Sequence, residues 1–423
     1  MEEQLLHFIW HRKLFQPDDL VTTQGETVEI IHTGIPNQDQ GPDFLQARIK
    51  IDDQLWAGHV EIHIRSSAWY LHGHETDPHY NNVILHVVWT EDQPVYTADR
   101  FLIPCIELEG RVDPQLLARY HHLMNNQEWV PCASSLLQVS PLIRSTWLER
   151  LMAERLEHKT SHITTLLART GQHWEQVFFV LLARQLGAPS NSDTMEELCL
   201  KIPWNVLRKH GNRLDQIEAI LFGCAGMLEK ESQEEYPGQL KKEFDFLKKK
   251  YAFGVLPGLR WKFMRMRPVH FPTVRIAQLA VMIYHTTHFI TLLEEMETAD
   301  QWIRRLMVQP ANEFWKDHYH FSSTAPPCSK RLGKSTAEAI VVNVVATVMF
   351  LYGKIHGRPN LKEHALSLLR ALPAERNAII SGWESCGWRV EDAGQTQSLL
   401  HLKKNYCDQR RCMHCAIGLQ VLK

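Results

Sequence analysis

The sequence predicts an α+β chain with a β-rich head, a mostly helical body and a short cysteine-rich end. Three observations carry that expectation. Apolar and polar residues alternate with period two in stretches between Thr27 and Ile106. After Asp113-Pro114 the apolar spacing turns helical, in segments rich in Leu, Ala, Glu, Arg and Lys. Cys407, Cys412 and Cys415 then crowd the end of the chain. The expected divisions are an α/β domain over 1–112, a helical domain over 113–400 and a tail over 401–423.

The head opens with a short helix over residues 4–15 that turns Trp10 and Phe15 inward. Val28–His32 reads as a strand. Ala47–Ile51 and His59–Ile64 flank the turn signal Asp52-Asp53 and pair as a hairpin. Val83–Trp89 is almost continuously apolar, the signature of a strand buried on both faces, and Tyr96–Ile106 adds an edge segment.

Helical spacing covers Leu142–Ala168, Trp174–Leu186, Met195–Lys201, Arg213–Leu228, Leu240–Tyr251 and Arg275–Met296. It resumes in Ala299–Met307, Ser335–Tyr352 and Lys362–Arg370. Gly333-Lys334-Ser335-Thr336 fails as a phosphate loop, because Cys328 stands where the upstream glycine belongs. Ser335 and Glu338 read instead as a capping box. The longest apolar run, Ala339–Tyr352, is interrupted by Asn343 and reads as a buried helix, too short to span a bilayer.

Composition sets the outer limits. A chain of 423 residues can bury a large core in more than one domain. The formal net charge of -2 gives no global field to draw in nucleic acid, yet leaves room for a local basic groove. Met1-Glu2-Glu3-Gln4 begins no secretory signal. Nine cysteines, an odd number scattered except at the end, fit reduced or metal-bound thiols in a cytoplasmic protein without a membrane partner.

The candidate chemistry lies on the strands. Side chains two apart on a strand share a face. His59, Glu61 and His63 therefore project together, with Val60, Ile62 and Ile64 turned to a core. Gly41-Pro42-Asp43 places another carboxylate at the start of the preceding strand.

That order, an Asp opening one strand and Glu-x-His on the next, resembles the core of the restriction-endonuclease-like PD-(D/E)xK nucleases over residues 26–90. The resemblance implies that Asp43, Glu61 and the Ile62 carbonyl hold a divalent ion, Mg2+ or Mn2+, by hard oxygen ligands. It puts His63 at the water-orienting Lys position. This is a departure, because an imidazole lacks the fixed positive charge. His59 and His86 are further metal donors, and they make a softer ion such as Zn2+ equally admissible. His72-x-His74 with His79 could complete a transition-metal site, and these residues read as supporting or substrate-contacting groups, with Asn37 and Asp39 lining the same mouth.

The tail motif Cys407-x4-Cys412-x2-Cys415 brings thiolates within reach of one metal centre. Cys386 is the nearest upstream cysteine for a fourth ligand, Cys328 is another option, and His401 or His414 would give a Cys3His zinc site. Several nucleases of the fold named above carry C-terminal cysteines around an iron–sulfur cluster, so the expected group is such a cluster or Zn2+. Arg410 and Arg411 would offset thiolate charge. The stretch holding Arg260, Lys262, Arg265 and Arg267 interleaves cations with Trp261 and Phe263, a pattern that suits nucleic acid.

Gly-Pro-Asp-Phe, Gly-His-Val-Glu-Ile-His, Val-Ile-Leu-His-Val-Val and Tyr-Cys-x4-Cys-x2-Cys-Ala-Ile-Gly are similar, over nearly the whole chain, to an uncharacterised bacterial family catalogued as a domain of unknown function. The leading expectation is a metal-dependent nuclease, or a protein derived from one, with Asp43, Glu61 and His63 as catalytic residues. The alternative is a non-catalytic nucleic-acid- or protein-binding module with a structural metal.

Overall fold

A computed structural model describes residues 1–229, 234–252, 254–256, 258–286 and 288–423. The chain is mixed α+β, with an N-terminal sheet followed by a helical remainder. It divides into two compact units, Met1–Val139 with Tyr406–Lys423, and Ser140–Asn405. The first unit thus runs past residue 112 and takes in the cysteine tail.

The first unit opens on helix α1 (Glu3–His11), which buries Leu5, Leu6, Ile9 and Trp10 and ends short of the expected residue 15. Phe15 is still buried, stacked on Trp10. The sheet comprises β1 (Val28–His32), β2 (Ile35–Pro36), β3 (Phe44–Ile51), β4 (Gln54–Arg65), β5 (Val83–Thr90) and β6 (Cys105–Glu107). Its spatial order is β1-β3-β4-β5-β6, with β2 paired to β3. The β1–β3 and β3–β4 pairs are antiparallel, and β4–β5 and β5–β6 are parallel.

A parallel pair needs a crossover connection. The one between β4 and β5 is residues 66–82, which carry helix α2 (Ala68–Leu71) and two 3-10 turns. Trp69 and Tyr80 of this crossover bury themselves against Val83, Val95 and Ile103. Helix α3 (Pro114–Asn125), which the sequence reading assigned to the helical body, belongs to the first unit. The tail returns beside it through helix Ala416–Leu422.

The second unit is helical around one continuous core from Met152 to Ala393. Helix α4 (Pro141–Arg169) runs along it, and α5 (Trp174–Leu186) is buried from Gln176 through Ala183. A helix apolar on every side belongs in the middle of a large bundle. The expected single helix Arg275–Met296 is instead Pro272–His285 and Phe289–Glu295. Thr286, extended at φ -140° and ψ 106°, ends the first of these, and position 287 lies outside the described residues.

Lys334–Ile355 is long and apolar enough to cross a membrane by length and composition, which corrects the expectation of too short a run. In this fold 72 % of its apolar window is buried inside the protein, against α4, α5 and Pro359–Ala371. The capping box at Ser335 does not form. The helix starts one residue earlier, with Gly333 as its N-cap and Lys334 facing Glu338 at 3.8 Å.

Candidate functional site

The expected carboxylates meet where β3 enters the sheet beside β4. Asp43 precedes β3, and the Asp43 amide donates to Glu61 Oε2 at 3.0 Å. In return, the Ile62 amide donates to Asp43 Oδ2 at 2.9 Å. The loop that delivers Asp43 is pinned by Asn37, whose side-chain amide donates to the Gln40 and Pro42 carbonyls. Gly41 within it has φ +110°, a region that only glycine enters at little cost. Asn37 and Asp39 are therefore loop staples, the Asp39 amide donating to Asn37 Oδ1.

Glu61 is 4 % exposed and His63 1 %. Both lie under the β4–β5 crossover, which lowers imidazoles onto them. His74 Nε2 is 3.2 Å and His63 Nε2 3.7 Å from Glu61 Oε1. His72 Nδ1 is 3.1 Å from His63 Nε2, and His86 Nε2 on β5 is 2.9 Å from His63 Nδ1. Tyr80 stacks on the His74 ring at 3.8 Å. His63, His72 and His74 each offer a nitrogen within 4.8 Å of the others, a group able to hold a metal ion.

Electrostatics keep two of these rings, His63 and His86, neutral. Burial foremost, then the neighbouring imidazoles, lowers His63 to about 2. Burial also lowers His86 to about 3, with His74 adding to it. Burial pushes the Glu61 carboxyl up, and the nearby Asp43 carboxylate adds to this, while His74 and the Asp43 amide pull it back. His7 on α1 was not anticipated from the sequence. Its Nε2 lies 3.3 Å from Asp43 Oδ2, and despite burial that carboxylate holds its proton affinity above the ordinary histidine value. No local motif marks it: it sits in an amphipathic helix 36 residues before its partner.

Two of the expected donors fall elsewhere. The β4–β5 register shifts between His59 and Val60, with the extra residue, Ile84, on β5. His59 Nδ1 instead accepts from the Gln46 amide at 3.4 Å, and its ring lines a separate cleft with His32 and Arg48. His79 is exposed and closes on its own Asp77, with Nδ1 2.7 Å from Oδ1. His86 is brought into the cluster, where its ring meets those of His63 and Trp69.

In the tail, Cys412 and Cys415 are buried and Cys407 is half-buried, all in the first unit, whereas Cys386 follows helix Ala378–Ser385 in the second. Burial, then the Cys415 thiol, raises Cys412 to about 11, and Arg410 pulls it back down. Arg410 also donates to the Leu123 and Asn126 carbonyls, tying the tail to the end of α3. Gly418 lies so close to the Cys412 carbonyl that a Cβ there would be 2.2 Å from its oxygen.

In the second unit Arg260, Lys262, Arg265 and Arg267 are all exposed. The backbone that carries them is held by the paired contacts of Asn191 with Lys262, both 2.9 Å, and by the Trp261 indole on the Ala225 carbonyl. Arg275, just beyond, is buried against Gln278 and His270 and is not a surface cation.

The profile of a family described as "Protein of unknown function (DUF2851)" matches residues 3–378. No curated protein and no solved structure matches the chain.

Proposed function

We propose that this chain, which belongs to the family DUF2851, is a metal-dependent hydrolase of phosphodiester bonds in nucleic acid. The observation that carries the reading is the pair of bonds that joins Asp43, at the entry to β3, to the neighbouring antiparallel β4: its amide on Glu61, and the Ile62 amide on its carboxylate. The element order supports it: a helix, an antiparallel run of strands, a short crossover and a parallel strand is the order in the restriction-endonuclease-like core.

The donor set fits a cation. Glu61 is buried beside a second carboxylate, and among the described residues no Lys or Arg forms an ion pair with either acid. Burying carboxylates together is costly unless a positive charge joins them. Asp43, Glu61 and the Ile62 carbonyl would hold the ion, which when bound lowers the pKa of water and polarises a phosphate oxygen. The chain's own groups do the rest. The Ile62 and Asp43 amides fix both carboxylates, so little reorganisation remains at the moment of reaction. His7, charged more readily than an ordinary histidine, is placed beside Asp43 to deliver a proton to a leaving oxygen. The exposed cations from Arg260 to Arg267 give the second unit a surface of its own for sequence-independent attraction of a phosphate backbone.

Full-length protein incubated with labelled single- and double-stranded oligonucleotides in Mg2+, Mn2+ or Zn2+ tests the reading. Glu61→Gln is expected to lose at least about 100-fold in cleavage rate while melting as a folded protein. Undiminished cleavage by that variant would remove Glu61, and with it the site.

A further inference from the structure

The crossover residues 72–74 do more than roof the site. We infer that His63, His72 and His74, with Glu61 Oε1 at the fourth corner, form a tetrahedral site for a divalent transition ion of the Zn2+ class. The inference goes beyond the reading above: it shares Glu61 with the oxygen-rich site proposed there and adds a second, nitrogen-rich donor set beside it.

The geometry is the argument. Metal–nitrogen and metal–oxygen bonds of about 2.0–2.1 Å at tetrahedral angles put neighbouring donors about 3.3–3.4 Å apart. Three edges of the cluster are 3.1 Å (His63 Nε2 to His72 Nδ1), 3.2 Å (His74 Nε2 to Glu61 Oε1) and 3.7 Å (His63 Nε2 to Glu61 Oε1). The three imidazoles each offer a nitrogen mutually within 4.8 Å, and Glu61, which stands outside that group but reaches His63 and His74, joins as the fourth corner by side-chain rotation. A hard ion such as Mg2+ prefers oxygen donors at octahedral angles, whereas imidazole suits zinc and its neighbours.

The surroundings fit a held ligand set. His86 Nε2 sits 2.9 Å from the far nitrogen of His63, the outer-shell partner that fixes which ring nitrogen faces an ion. Tyr80 stacks on His74 and Trp69 abuts it edge-on, so that ring has little freedom to turn away. Two positive charges would meet two carboxylates, Glu61 and the adjacent Asp43, so the buried site closes near neutrality. His72 alone of the three imidazoles is exposed, and it gives the ion a way in.

The test is metal binding, read without reference to activity. Full-length protein, stripped by a chelator, is titrated with Co2+ and then competed with Zn2+. The expected result is the visible ligand-field spectrum of tetrahedral cobalt with nitrogen and oxygen donors, without the thiolate charge-transfer band that cysteine coordination would add. His72→Ala, an exposed substitution that leaves the core intact, is expected to weaken binding at least about 100-fold. His74→Gln should weaken it likewise, and His79→Ala should leave it unchanged. Cys412→Ser guards against the tail as the source and should leave the nitrogen–oxygen spectrum in place. Spectra and affinities unaltered in both His72→Ala and His74→Gln would overturn the site, as would an octahedral spectrum. Tight zinc binding by a protein that cleaves no nucleic acid would uphold this inference and remove the nuclease reading. Mg2+-driven cleavage with no zinc affinity would overturn this inference and leave that reading standing.

Discussion

Gly58 sits where β4 passes closest to the start of β5. A Cβ there would lie 2.4 Å from Ile84 Cγ2 and 2.6 Å from the Asn82 carbonyl oxygen, and that carbonyl also accepts the His59 amide. A flexible neighbour can yield, but a hydrogen-bonded backbone oxygen cannot. Gly58→Ala is therefore expected to cost about 2 kcal/mol or more, read as a lower urea midpoint at unchanged m-value. The same crowding marks the slip of β5 opposite His59 and Val60. Period-two alternation made Glu61 and His63 legible as one row, and they are. It could not reveal the irregularity next to Gly58, because a bulge leaves the composition of the strand unaltered. His7 was illegible for the opposite reason: its helix pattern was plain, but its contact with Asp43 exists only after the helix docks.

At the scale of elements, the apolar helix Lys334–Ile355 contains a π-turn at Val341–Val345, the kind of local widening that redirects a side chain. Asn343 within it accepts from Lys159 Nζ at 2.9 Å, and Gln397 Oε1 accepts from the same ammonium at 2.7 Å. Among the described residues Lys159 has no carboxylate within ion-pair distance. Burial, with Arg155 adding to it, lowers Lys159 to about 7, and Glu375 pulls it part of the way back. The consequence has a definite sign. An unfolded lysine keeps its proton up to about pH 10.4, so between the two values the unfolded chain binds more protons. Stability of this helical unit then rises with pH through that window, by at most about 1.4 kcal/mol per pH unit. Lys159→Met should flatten the rise, and chemical denaturation at a series of pH values measures it. The helix was readable from its run of Val and Ala. The π-turn was not, since nothing in that run distinguishes five-residue from four-residue backbone spacing. The capping box failed for a related reason: Ser335 and Glu338 have the right separation, but the helix begins before them at Lys334.

For the whole molecule, chain order is not spatial order. The sequence reading set the last residues apart as a tail, yet Tyr406–Lys423 belongs to the same compact unit as the sheet. Arg410 caps α3 carbonyls, Arg119 donates to the Leu422 carbonyl, and Ile417 and Leu422 are buried. Deleting residues 406–423 should remove about 3 kcal/mol or more from the first unit through those apolar side chains alone. Hydrogen exchange would then quicken in Pro114–Asn125, and an unchanged exchange profile would contradict that account. The cysteine spacing pointed to a metal centre, and the fold shows where those cysteines lie, in the first unit. The destination of the tail was hidden, because a return of this kind depends on which surface is left uncovered once the earlier elements have packed.

His72 and His74 ride on the connection between two parallel strands, while Glu61 and His63 belong to the sheet itself. The donors proposed for the transition ion are thus shared between the sheet and a separable connection. Natural variation confined to residues 66–82 can silence or retune this corner without disturbing a single strand-to-strand ladder, so a relative that shares the scaffold need not share its chemistry.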